Sequence, residues 1–165
     1  MRLRTAAAAL LIASLTMLTG CAAAGADPGY SEADVRFSQQ MIAHHRETIH
    51  LAELAAERGS GAYVRELSAR IIPGEKADIT TMSGWLTSWK QPVPAEEPST
   101  AATELKAGPG FDQGWLTMMS AHLEHGVHMA KEVQAAGRHQ PTRELAGRII
   151  TTQTGEIAEI AGHLG

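Results

Sequence analysis

Cysteine is nearly missing from this chain. The single one, Cys21, excludes an intramolecular disulfide and a metal site built from several thiolates. Aromatic residues are scarce as well, with three Trp, two Tyr and two Phe in 165 residues. A core must then come from Ala, Leu, Ile, Val and Met, which suits helices better than sheets. Positive charge is in deficit, with 14 Lys and Arg against 18 Asp and Glu. That balance argues against a nucleic-acid partner, which needs a basic footprint. No nucleophile-elbow motif is present, and Gly108-Pro109-Gly110 is a turn rather than a phosphate-binding loop.

Long hydrophobic runs are also few. The prominent one, Thr5 to Thr19, follows Arg2 and Arg4 and is too short for a typical membrane span of about 20 apolar residues. It reads as the apolar region of a signal peptide covering residues 1–20. Leu18-Thr19-Gly20-Cys21 resembles a lipobox, so Cys21 is the expected lipidation site and residues 21–30 a tether. The expected location is the outer face of the cell membrane, with the lipid as anchor. Without residues 1–20 the chain keeps 12 basic against 18 acidic residues, a net charge of −6, and 145 residues, enough for one domain with a core.

What the chain does have is histidine and methionine, eight and seven respectively, and an internal repeat. Shifted by 78 positions, residues 34–86 fall on 112–164 without a gap. Asp34 meets Asp112, Met41 meets Met119, His44 meets His122 and Gly59 meets Gly137. Arg65-Glu66-Leu67 meets Arg143-Glu144-Leu145, and Arg70-Ile71-Ile72 meets Arg148-Ile149-Ile150. Each copy reads as a helical hairpin: about Ser31–Arg58 then Ala62–Trp89, and about Gly110–Ala136 then Pro141–Leu164. Pro73-Gly74 predicts a kink or break in the second helix. The proline-rich stretch 91–110 is the linker between repeat one (31–90) and repeat two (111–165). A lone hairpin cannot bury its apolar stripe, so the expected fold is all-α, a four-helix bundle with pseudo-twofold symmetry.

The chemistry concentrates on the first helix of each hairpin. Met41, His44 and His45 lie three and four apart, so their side chains share a face. Met118, His122, His125 and Met129 form a similar stripe, flanked by Met119 and His128. Neutral imidazole and thioether together favour copper. Methionine at helical spacing is more often core packing, and an inward histidine more often a satisfied core group. The paired occurrence in equivalent places favours a metal site around His44 and His122. Glu75 and Asp78, with their repeat partners Gln153 and Glu156, could add carboxylate ligands or orient the imidazoles. Arg70 and Arg148 offer them a structural ion-pair role instead. Asp34 and Asp112 are further acidic candidates, or charges favourable near helix N-termini.

Asp34-x-x-Phe37-x-x-x-Met41-Ile42-x-His44-His45, then Ile49 and Leu51-Ala52, resembles the family named domain of unknown function 305. The second copy resembles it through Asp112, Met119, His122, Met129-Ala130, Glu144-Leu145-Ala146, Ile149-Ile150 and Gln153-x-x-Glu156-Ile157. The resemblance implies a ferritin-like bundle, exported and frequently lipid-anchored, with some members tied to copper binding through Met and His. Three positions depart from the pattern: Leu123 replaces a second histidine, Glu75 and Asp78 replace the usual Gln and Glu, and His125 stands where Glu47 does. These departures leave room for a single asymmetric site using His44, His45, His122 and His125 in place of two symmetric ones. The expected function is copper binding, sequestration or transfer, without turnover. The alternatives are a ferritin-like metal-dependent oxidase and a metal-free surface interaction module.

Overall fold

The computed structural model describes residues 29–99 and 104–164, so the signal segment and Cys21 lie outside the described residues. Among the described residues four long helices follow one another: α1 (Glu32–Arg58), α2 (Ala62–Ser88), α3 (Phe111–Ala136) and α4 (Gln140–Leu164). Among the described residues there is no strand, and the chain is the all-α four-helix bundle expected. No described helix is long and apolar enough to cross a membrane.

The helix starts have local causes. Ser31 caps α1 in a capping box with Asp34, whose carboxylate accepts the Ser31 N–H at 2.8 Å. Gly110 precedes α3 at φ 93, a left-handed backbone that glycine adopts without steric cost. α2 has no side-chain cap of its own; the other hairpin supplies one. Asp112 accepts the N–H groups of Ser60 and Gly61 at 3.1 and 2.7 Å. Asp34 does the same for Arg138 and His139 at 2.9 and 3.1 Å. Each hairpin therefore satisfies orphan donors of the other, through equivalent residues.

α1 packs on α2, α3 packs on α4, and α1 and α3 form the central contact between hairpins. The apolar core is divided in two. One cluster joins Phe37, Met41, Met82 and Leu86 to Met129, Val133, Leu145 and Ile149. The other joins Leu51, Ala55, Leu67 and Ile71 to Trp115, Met119, Leu123 and Ile160. Shifting a member of one cluster by 78 residues lands in the other: Phe37 goes to Trp115, Leu67 to Leu145, Ile71 to Ile149. Trp115 is fully buried, and its indole N–H donates to the Leu51 carbonyl at 2.7 Å. Each such side chain contributes roughly 1.5–3 kcal/mol by leaving water.

On α1, α2 and α4 the stretch between the two clusters carries buried polar side chains. His44, His45, Thr48, Glu75, Gln153 and Glu156 are all buried there, forming a polar waist around the pseudo-dyad. Of the kink or break expected at Pro73, the break is absent: α2 runs unbroken through it. One ladder hydrogen bond is lost at an exposed position, while buried Ile71 and Glu75 on either side hold both halves to the bundle.

A candidate metal site at the bundle waist

His44 and His122, equivalent residues of the two repeats, stack face to face across the α1–α3 contact. Their ring centroids are 3.9 Å apart and their planes 8° from parallel. His44 Nε2 lies 2.9 Å from the His122 carbonyl, and His122 Nε2 lies 3.2 Å from the His44 carbonyl. A carbonyl only accepts, so both Nε2 atoms carry hydrogen and both lone pairs reside on Nδ1. Thr48 completes the arrangement. Its hydroxyl donates to the His44 carbonyl at 3.1 Å and accepts from His122 Nε2 at 3.1 Å.

The stack holds both imidazoles neutral. Burial, and then the neighbouring His122 ring, push the pKa of His44 down to about 3. Burial also lowers that of His122, partly opposed by its bond to the His44 backbone. His44 Nδ1 is buried and has no hydrogen-bond partner among the described residues. A neutral imidazole with an unused lone pair is a ligand for copper or a similar borderline metal. The fit is incomplete as the side chains stand. Among the described residues, no three His, Asp or Glu groups are disposed together to hold an ion. Rings stacked 3.9 Å apart also leave no room for an ion between them, so an ion taken by both needs the stack to open.

His45 is a different case. It is fully buried, with Nδ1 ion-paired to Glu75 and Nε2 3.6 Å from Asp78. Burial alone would lower its pKa, but Asp78 and Glu75 outweigh it and raise it to about 9. A protonated imidazole has no lone pair to offer. His45 is thus occupied as the cation of a buried ion-pair group. Repeat two lacks this group: Leu123 replaces His45 and sits in an apolar cluster. Gln153 replaces Glu75, to whose Oε1 its amide donates at 3.4 Å. Glu156 has no imidazolium beside it, and burial together with Glu75 raises its pKa to about 7.

The remaining sequence candidates divide. His125 is exposed but its ring meets His44 edge-on, with centroids 5.8 Å apart. Met41 and Met129 are packed in one apolar cluster, and Met119 and the partly buried Met118 in or against the other. The methionine stripe is therefore divided between two core clusters. Of the two readings given for Asp34 and Asp112, the structure has both accepting backbone N–H groups at helix starts. Burial would raise the Asp34 pKa, yet the Ser31 hydroxyl and the backbone N–H groups of Arg138, Ser31 and His139 bring it below the usual carboxylate range. Arg70 ion-pairs with Glu159, not with Glu75 or Asp78.

Sequence reasoning missed Thr48 and Gly126, which are repeat partners. A Cβ on Gly126 would clash with Gln153 Oε1 and stand 2.8 Å from His44 Cε1. Glycine is needed there because His44 and Gln153 press against α3. Its position in a helix interior, one residue from His125, was a usable signal. Behind Gln153, a cleft of about 500 Å³ opens between α2 and α4, lined by Asp78, Glu156, Arg70 and Arg148 among others.

The family model described as "Domain of unknown function (DUF305)" matches residues 34–164. Among solved structures, CopM in its Cu(I)-bound form is 28% identical, with TM-score 0.71, over 78% of this chain and 93% of that one. A DUF305 fragment from Deinococcus radiodurans is 26% identical, with TM-score 0.69, over 84% of this chain and 99% of that one. A DUF305 protein from Streptomyces coelicolor is 25% identical, with TM-score 0.72, over 80% and 91%. No curated protein matches the chain.

Proposed function

The chain belongs to the DUF305 family, and on that premise we propose that it is an exported, lipid-anchored copper-binding protein that sequesters or hands over the metal. The observation that carries this reading is the His44–His122 stack, in which two neutral imidazoles face each other and the buried Nδ1 of His44 has no partner among the described residues. His44, His122 and His125 are the ligands, and the ion is taken up when the stack opens. His45 stays with Glu75 and Asp78 as part of the scaffold. The likeness to CopM, whose Cu(I)-bound structure shares the fold at 28% identity, supports copper as the metal. An oxidase would need carboxylates free to bind its metal, and here Glu75 and Asp78 are committed to His45.

Export and anchoring rest on Arg2, Arg4, the apolar run Thr5–Thr19 and the Leu18-Thr19-Gly20-Cys21 motif. The Streptomyces coelicolor relative carries the description of a secreted protein, which agrees with export. The membrane partner is reached through the lipid on Cys21, and the location is the outer face of the cell membrane.

The test is a titration with copper(I) against a competing chelator, beside the double variant His44→Ala/His122→Ala. Competitive binding that the double variant loses is the expected result. Binding unchanged in that variant would overturn the site, and no competitive binding in the parent protein would overturn the copper role.

A further inference from the structure

Two surfaces lie on either side of the His44 environment. One is the acidic cleft between α2 and α4, and the other is the α3 surface that carries His125. Resting on the copper reading above, we infer that the ion is captured by His125 at the α3 surface and passed to His44, and that the cleft is not its way in.

Burial along the three histidines forms a gradient: His125 is exposed, His122 half-buried, and His44 only 6% exposed. Spacing separates the pairs. A metal–nitrogen bond is about 2 Å, so two imidazoles sharing one ion place their ring centroids about 5–6 Å apart, from tetrahedral to opposed bonds. The His44–His125 pair, at 5.8 Å, has that spacing already. The His44–His122 pair, at 3.9 Å, is too close until the stack opens. An ion held by exposed His125 therefore already lies beside buried His44, and ring rotation lets the two share it.

The cleft is larger and acidic, but its floor is closed. Gln153, 3% exposed, spans from Glu75 to the surface of Gly126, where it meets the His44 edge. Beside it, Glu75 is held by its ion pair with His45. An ion coming this way must displace a packed amide and separate a buried ion pair. Repeat one offers no mirror route, because Glu47 occupies the position of His125 and accepts a hydrogen bond from Ser99 at 2.8 Å. Capture is thus one-sided.

The full chain and three variants are mixed rapidly with copper(I) delivered from a weak chelator, and uptake rate and competitive affinity are both read. His125→Gln is expected to slow uptake about tenfold, within the range over which association rates vary among variants of one site, and to weaken affinity as well, since His125 is also a ligand. His125→Met, which restores a soft ligand, is expected to recover most of the rate. Glu156→Gln is expected to take up metal at the parent rate. Uptake by His125→Gln at the parent rate, or a larger slowing in Glu156→Gln, would overturn the route while leaving the copper reading standing. A parent chain that takes up no copper(I) would remove that reading and the route with it.

Discussion

The two repeats meet at the waist with the same backbone and different chemistry. Repeat one places His44 and His45 opposite Glu75 and Asp78; repeat two places His122 and Leu123 opposite Gln153 and Glu156. The exchanges are coupled. Where a buried histidine is present, two carboxylates close around it. Where leucine takes its place, one carboxylate becomes a neutral amide and the other has its pKa raised to about 7. Electrostatics inside a bundle constrains facing helices jointly, because an uncompensated buried charge costs more than any single packing change. The half with fewer ionised groups is also the half whose glycine and exposed histidine leave room around the stacked pair.

The comparison breaks most sharply at His45. His45→Leu leaves Glu75 and Asp78 without their cation and is expected to cost about 3–5 kcal/mol in chemical denaturation. Adding Glu75→Gln rebuilds the chemistry of repeat two inside repeat one, and is expected to recover most of that loss. If the double variant is no more stable than the single one, the coupling argument fails.

Gly126→Ala comes next. A Cβ there displaces Gln153 or His44, and the expected cost is about 1–3 kcal/mol, despite the roughly 1 kcal/mol that alanine adds to a helix interior. Loss of the ring-stacking pattern in histidine proton spectra would accompany it. The equivalent Thr48→Ala removes a hydroxyl bridge, for about 1 kcal/mol. A Gly126→Ala protein as stable as its parent, with the stack intact, would remove the close-approach role.

Protonation sharpens the comparison further. His44 has a folded pKa near 3, below its ordinary 6.5, so its contribution is present above 6.5 and lost as pH falls towards 3. His45 is raised to about 9, so its contribution is complete below 6.5 and lost as pH rises through 9. Glu156, raised from 4.5 to about 7, favours the folded state below 4.5 and loses this as pH rises through 7. Between 4.5 and 6.5 the His44 and Glu156 slopes oppose each other. The lowered pKa values of His122 and His139 add to the His44 side, so stability should peak near the ordinary histidine value and fall on both sides, by up to about 1.4 kcal/mol per pH unit for one proton. Denaturation midpoints at pH 4, 5.5 and 8.5 check this; in His45→Leu/Glu75→Gln the alkaline loss should shrink.

The smallest effect concerns the caps. Asp34→Asn and Asp112→Asn alter equivalent bonds, but Asp34 is fully buried and Asp112 is partly exposed. The first should cost more than the second by about 1 kcal/mol, measured as a difference in denaturation midpoint. Equal costs would mean that water replaces neither bond.

The fold was legible because helix-forming residues, apolar spacing and a gapless 78-residue shift all describe local or repeated features. The α1 and α4 bounds lie within about a residue of those read from Ser31, Arg58, Pro141 and Leu164. The waist was legible only in part. His44 and His122 were paired by the repeat, whereas the division of the methionines between two clusters was not, since helical spacing shows which side chains share a face and not what that face touches. Pro73 misled because local propensity favours a break there, and packing of Ile71 and Glu75 overrides it.

Sequence by itself determined the helices, their pairing into two hairpins, the aliphatic core and the candidate ligand types, since these follow from residue preference, periodicity and duplication. Tertiary structure decided which histidine is which. His44 and His45 are neighbours on one helix, yet one faces a neutral ring and a backbone carbonyl, and the other faces two carboxylates. A helix turns by about 100° per residue, so adjacent side chains meet different helices, and the charge state of each is set by what waits on the opposing surface.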